Sequence, residues 1–188
     1  MSDDSRLASL SVENVVASSA IGQELDLESL SMDLVGSDYN PDNFPGLVYR
    51  TQDPKAANLI FRSGKVVCTG ANSVDDVHRA LDALFEELDD LGIPIENREE
   101  PTVQNIVSSA DLKARLNLNA IAIGLGLEDV EYEPEQFPGL VYRLSDPKVV
   151  VLLFGSGKIV ITGAKQVPDA ERAVDVVAGR LEDLGLLD

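Results

Sequence analysis

The groups most often used in catalysis are scarce in this chain. Its 188 residues include one cysteine, Cys68, and one histidine, His78. One of each cannot assemble the usual zinc ligand sets, and a single cysteine forms no internal disulfide. Gly155-Ser156-Gly157-Lys158 has the look of a phosphate loop, but no glycine stands five residues before Gly157, and Ile159 occupies the Ser/Thr position. It reads as a hairpin turn. No acid, base, nucleophile and oxyanion donor recur or cluster, so the sequence points away from an enzyme and from any metal or cofactor. What does recur is apolar and amide chemistry. Phe44 and Phe61 are 17 residues apart, as are Phe137 and Phe154, and these are four of the five phenylalanines. Asn14 and Asn105 sit in the similar strings ENVVAS and QNIVSS.

These recurrences belong to an internal duplication. Phe44 to Ala71 aligns without gaps on Phe137 to Ala164 at an offset of 93, with 19 of 28 positions identical; Val12 and Val103 begin matching stretches at an offset of 91. Two repeats are expected, residues 1–95 and 96–188, together forming one domain. In each, a first strand is predicted (Val12 to Ser19, Val103 to Ser109), then a short helix (Leu25 to Val35, Leu116 to Leu127). Strands Gly46 to Thr51, Ala56 to Phe61 and Lys65 to Gly70 follow, parted by the turn pairs Asp53-Pro54 and Ser63-Gly64. Asp146-Pro147 and Ser156-Gly157 do the same in the second repeat. Apolar residues three and four apart, Val74, Val77, Leu81, Leu84, Leu88 and Leu91, predict a closing helix. Val167, Ala170, Val174, Val177, Leu181 and Leu184 repeat the stripe, and Gly92 and Gly185 mark the stops. The class is α+β, an antiparallel sheet carrying helices.

Helices cover one face of such a sheet, and the other should alternate to polar. In Leu59-Ile60-Phe61 and Leu152-Leu153-Phe154 both parities are apolar, and Val67 continues the pattern beside Val66 and Cys68. The second apolar face requires a sandwich of the two units, a homodimer or a ligand. Charge narrows the ligand. Residues 44–72 and 137–165 carry eight basic and two acidic side chains, a balance of +6, whereas the rest of the chain carries −24 and the whole −18. Basic groups around an apolar, helix-free sheet suit a polyanion that also presents apolar surface, as opened minor-groove DNA does.

The paired FPGLVYR, DPK, LIF or LLF, SGK and TGA blocks, with ENVVAS and QNIVSS upstream, closely resemble the TATA-box-binding protein family in its archaeal form, from about Val12 to Leu184. The resemblance implies a pseudo-twofold saddle: a curved antiparallel sheet that binds the minor groove, with helices on the convex face. It implies that Phe44, Phe61, Phe137 and Phe154 wedge between base steps at the ends of the site, where ring contact offsets an unstacking cost of a few kcal/mol per step. Asn14 and Asn105 match amides near the centre of the groove. The minor groove offers acceptors for either orientation of an A·T pair, so amide donors select A·T without resolving direction. Val16, Leu59, Val67 and Thr69, with Val107, Leu152, Val160 and Thr162, match an apolar floor that leaves a guanine amino group crowded and unpaired. Arg50, Lys55, Lys65, Arg143, Lys148 and Lys158 would flank the groove and neutralise phosphates.

Partners follow from the same resemblance: A·T-rich double-stranded DNA, transcription factor B and, indirectly, RNA polymerase, with a possible homodimer in the absence of DNA. Glu133 and Glu135, in Tyr132-Glu133-Pro134-Glu135, match the loop that meets transcription factor B; the first repeat has Tyr39-Asn40-Pro41-Asp42. A protein-binding or self-associating module of this fold is the alternative. The acidity objects to DNA binding unless the cytoplasm is molar in salt, as in halophilic archaea, where a Debye length of about 3 Å screens distant repulsion. The longest purely apolar run, Val149 to Phe154, is too short for a bilayer span, and the acidic start argues for a cytoplasmic protein, which the resemblance implies is nucleoid-associated. Asn58, where the second repeat has Val151, is expected on the helix side of the sheet with a hydrogen-bond partner.

Overall fold

A computed structural model describes residues 3–187. The chain divides into two compact units, one from Asn14 to Gln104, the other from Asn105 onward together with the N-terminal residues through Glu13. It opens with α1 (Asp3–Ala8) and β1 (Ser11–Ala20). The first repeat continues through α2 (Leu27–Asp33), β2 (Ser37–Tyr39), β3 (Leu47–Gln52), β4 (Lys55–Ile60), β5 (Lys65–Ala71) and α3 (Val74–Asp90). Its strands lie in the order β2-β3-β4-β5-β1, every neighbour antiparallel. Gln52 pairs with Lys55, which leaves Asp53-Pro54 as a two-residue connection.

α2 is shorter at both ends than the predicted Leu25 to Val35. Asp26 caps it by accepting the Ser29 N–H, so the helix starts one residue later, and Leu34 already has an extended backbone. α3 begins at its N-cap Ser73, whose hydroxyl accepts the Asp76 N–H at 3.0 Å; Asp75 and Asp76 then face the positive end of the helix dipole. Val77, Ala80, Leu81, Leu84, Phe85 and Leu88 are buried against the sheet. Each large apolar side chain so buried is worth about 1.5–3 kcal/mol relative to exposure. Leu91, the predicted end of the stripe, is 39% exposed because the helix has ended at Asp90, and Leu184 is likewise 40% exposed.

The second repeat contains β6 (Thr102–Asp111), α4 (Leu118–Leu125), β7 (Val130–Glu131), β8 (Leu140–Arg143), β9 (Val150–Leu153), β10 (Lys158–Ala164) and α5 (Val167–Asp183). Its order, β6-β10-β9-β8-β7, repeats that of the first. Here the Asp146-Pro147 connection is longer than two residues, because pairing stops at Arg143 with Val150. The edge strands β2 and β7 have no clear signal in the sequence, being only three and two residues long. Nor does α1, which packs on α5 through a buried arginine: Arg6 is 2% exposed and pairs with Glu182 at 2.5 Å.

In both repeats the sheet has one fully buried parity and one half-exposed parity. Val15 and Ala17, Ala56 and Ile60, and Val66 and Cys68 are buried; Val16, Ala57, Leu59, Val67 and Thr69 are not fully so. Asn58 has the buried parity, as expected, but the expected hydrogen-bond partner is absent: it is 0% exposed and neither its Oδ1 nor its Nδ2 is bonded. Its cross-strand neighbours are Tyr49 and Cys68, and α3 packs on β4 with an apolar face; neither the phenol nor the thiol hydrogen-bonds the amide. No helix among the described residues is long and apolar enough to cross a membrane.

Candidate nucleic-acid interface

Register places the predicted floor residues of each repeat on one face. In the first, Val48 opposes Leu59, Leu59 opposes Val67 and Val67 opposes Ser18, an unbroken row across four strands. In the second the row is Val141, Leu152, Val160 and Ser109. One step along, Thr69 opposes Ala57 and Thr162 opposes Val150. Val16 and Val107 are two residues from Ser18 and Ser109 and so share their side of the pleat. Val48, Ala57, Ser18 and their counterparts were not among the predicted residues; alternation along the strands was enough to find them.

The asparagines are held in one orientation. The Gly70 N–H donates to Asn14 Oδ1 at 2.7 Å, and the Gly163 N–H donates to Asn105 Oδ1 at 2.6 Å. A backbone donor on the oxygen fixes which end of the amide is which. The NH₂ group then reaches Thr69 Oγ1 or Thr162 Oγ1, at 3.2 Å in both repeats, and retains a second proton to donate. Gly70 and Gly163 can turn their N–H groups this way because they sit at φ 93° and 98°, next to a register shift in the β5 and β10 ladders. Any other residue would resist that conformation.

The phenylalanines form two edge-to-face pairs. Phe44 and Phe61 have ring centroids 5.9 Å apart at 66°, and Phe137 and Phe154 are 5.9 Å apart at 72°. Phe44 and Phe137 remain 37% and 39% exposed. The glycine of each Phe-Pro-Gly makes the pairs possible. A Cβ on Gly46 would lie 2.7 Å from Phe44 and 3.1 Å from Phe61, and one on Gly139 would lie 2.8 and 2.9 Å from Phe137 and Phe154. The sequence showed the repeated glycine but not what it clears.

Arg50, Lys55, Lys65, Arg143, Lys148 and Lys158 are all exposed. Arg143 faces Glu131 at 3.5 Å; among the described residues the other five form no ion pair. The two acidic groups of the basic blocks are already engaged, Asp53 by Arg79 at 3.8 Å and Asp146 by Arg172 at 2.8 Å. Glu133 and Glu135 are exposed in a turn where the Gln136 and Phe137 N–H groups both donate to the Glu133 carbonyl; the Asn43 and Phe44 N–H groups donate to Asn40 in the same manner. Cys68 is buried, and burial pushes its thiol up to about 11. Among the described residues no group of His, Cys, Asp and Glu is placed to hold a metal ion.

The family described as "Transcription factor TFIID (or TATA-binding protein, TBP)" matches the chain twice, over residues 9–91 and 100–184. The chain belongs to the TATA-binding protein family. It is 71% identical over 179 residues to TATA-box-binding protein 2 of Haloferax volcanii, covering 95% of this chain and 96% of that one. It is 69% identical over 180 residues to the TATA-box-binding protein of Haloarcula marismortui, covering 96% and 97%. The solved structure of Methanococcus jannaschii TBP matches with a TM-score of 0.81 and 52% identity, over 93% of this chain and 98% of that chain. The TATA-binding protein fold expected from the paired motifs is therefore the fold of this chain, and the two relatives of Haloferax volcanii and Haloarcula marismortui come from halophilic archaea.

Proposed function

We propose that this protein is a general transcription initiation factor that binds the TATA-box element in the DNA minor groove, kinks it, and recruits transcription factor B and through it RNA polymerase. The observation that carries the reading is the twice-built face: an apolar row, an amide whose oxygen is tied to a glycine N–H so that its NH₂ keeps a proton to donate, and a ring pair held by a glycine. Apolar side chains along a widened minor groove favour A·T by excluding the guanine amino group. Asn14 and Asn105 donate to A N3 or T O2. Phe44, Phe61, Phe137 and Phe154 fill opened base steps, and Arg50, Lys55, Lys65, Lys148 and Lys158, with Arg143 once released from Glu131, neutralise phosphates. Residues 1–95 and 96–188 act as the two repeats. Without DNA, the half-exposed apolar rows are a surface for a homodimer.

Glu133 and Glu135 present two carboxylates to basic groups of transcription factor B, where the first repeat offers Asn40 and Asp42. The protein acts in the cytoplasm at the nucleoid and performs no catalysis. Binding should be measured in molar KCl to three duplexes: an A·T-rich element, the same element with I·C pairs, and the same with G·C pairs. I·C keeps the minor-groove pattern of A·T and changes the major groove. Retention on I·C with loss on G·C is expected. Equal loss on both would place recognition in the major groove and overturn the reading.

A further inference from the structure

Lys113 is the only residue other than glycine among the described residues to have a positive φ, 60°. Lysine rarely adopts that conformation, and glycine adopts it freely. The corresponding residue of the first repeat is Gly22, at φ 91°, where a Cβ would lie 2.7 Å from the Asn97 carbonyl oxygen of the segment joining the repeats. Gly22 is thus required for space as well as conformation. Lys113 is not crowded in this way: its side chain is 46% exposed. Its N–H donates to Asp111 Oδ1 at 2.8 Å, which shapes the turn, while its ammonium is a loose 3.7 Å from Asp111 Oδ2. It lines a cavity of about 620 Å³ with Lys158, Phe154, Val160, the carboxylate of Asp111 and the serines Ser9, Ser109 and Ser156. Ser9 and Ser109 donate their hydroxyls to Arg6 and Glu13, so the groups left for a ligand are two ammoniums, against the one Asp111 carboxylate, and the Ser156 hydroxyl. Beside a wedge phenylalanine and the apolar floor, that net positive set suits a phosphate of the strand passing the wedge.

We infer that Lys113 is a further DNA phosphate contact carried by the second repeat alone, and that it helps fix the direction in which the protein sits on its element. The inference rests on the minor-groove reading. Lys113→Gly tests it, because a structural role and a binding role predict opposite changes. Glycine relieves the backbone, so the unfolding midpoint in molar KCl should hold or rise. DNA affinity should nonetheless fall several-fold, and the log–log salt dependence should change by about one phosphate contact, roughly 0.9 in slope. Lys113→Arg should retain both. On an asymmetric A·T element with a cleavage reagent tethered at one end, Lys113→Gly should lower the bias between the two orientations. Wild-type binding with unchanged affinity, slope and bias in Lys113→Gly would overturn the inference alone. Failure of the wild type to bind the A·T duplex would instead overturn the reading beneath it.

Discussion

On its half-exposed sheet face the first repeat presents Val48, Leu59, Val67 and Ser18, and on its own the second presents Val141, Leu152, Val160 and Ser109. The asparagine amides are bonded alike, and the ring pairs share a centroid distance of 5.9 Å. Beside and behind that face the repeats part. Lys113 stands for Gly22, Gly155 for Arg62, Glu133 for Asn40, and the buried Asn58 for Val151. An A·T pair looks nearly the same in the minor groove from either strand, so a face that reads it can stay symmetric. Contacts that give direction or recruit a single partner would gain from asymmetry, and the roles proposed for Lys113 and Glu133 are of that kind, whereas Asn58 differs from Val151 within the core.

The sharpest way to break the likeness of the two faces is to crowd one ring pair. Gly46→Ala puts a methyl group against Phe44 and Phe61, and Gly139→Ala does the same to Phe137 and Phe154. Base–aromatic stacking is worth about 1–3 kcal/mol, so each variant should bind an A·T duplex roughly 10- to 100-fold more weakly while remaining folded, as titration beside circular dichroism would show. If one substitution is silent, the two pairs are not equivalent in use. A smaller effect tests the buried difference. Asn58→Val removes an amide with no partner and installs the residue of the other repeat, which should raise stability by about 1–3 kcal/mol in denaturant titration. Loss of stability would mean that the amide has a partner in solution.

The smallest effect concerns Cys68. Burial raises its thiol from 9.0 to about 11, so the folded state favours the protonated form. This group leaves stability flat below pH 9 and lowers it as pH rises from 9 towards 11, since the unfolded chain releases the proton first. Cys68→Val should lose that part of the alkaline decline. An identical alkaline profile in the variant would show that other groups set it.

Much of this molecule was legible in its sequence because the chain states its design twice. Period-two alternation in Leu59-Ile60-Phe61 showed both faces apolar, and the offset of 93 tied Phe61 to Phe154. What stayed hidden depends on contacts distant in sequence. That Gly70 anchors Asn14 needs a bulge 56 residues away, and that Gly46 makes room for two rings needs the chain folded back on itself. α1 was missed because six residues carry too little periodicity, and its buried Arg6 finds Glu182 only through the fold. Asn58 was expected to be satisfied by the general rule for buried amides, and it is the place where that rule is broken.

The central claim is that both faces open DNA by the same wedge. It is tested most directly by energy transfer between fluorophores at the ends of an A·T-rich duplex in molar KCl, with wild type, Phe61→Ala and Phe154→Ala. The account predicts a bend on binding with the wild type and a smaller bend with each variant, by similar amounts. Wild-type binding without a bend, or variants that bend DNA as fully as the wild type, would contradict it.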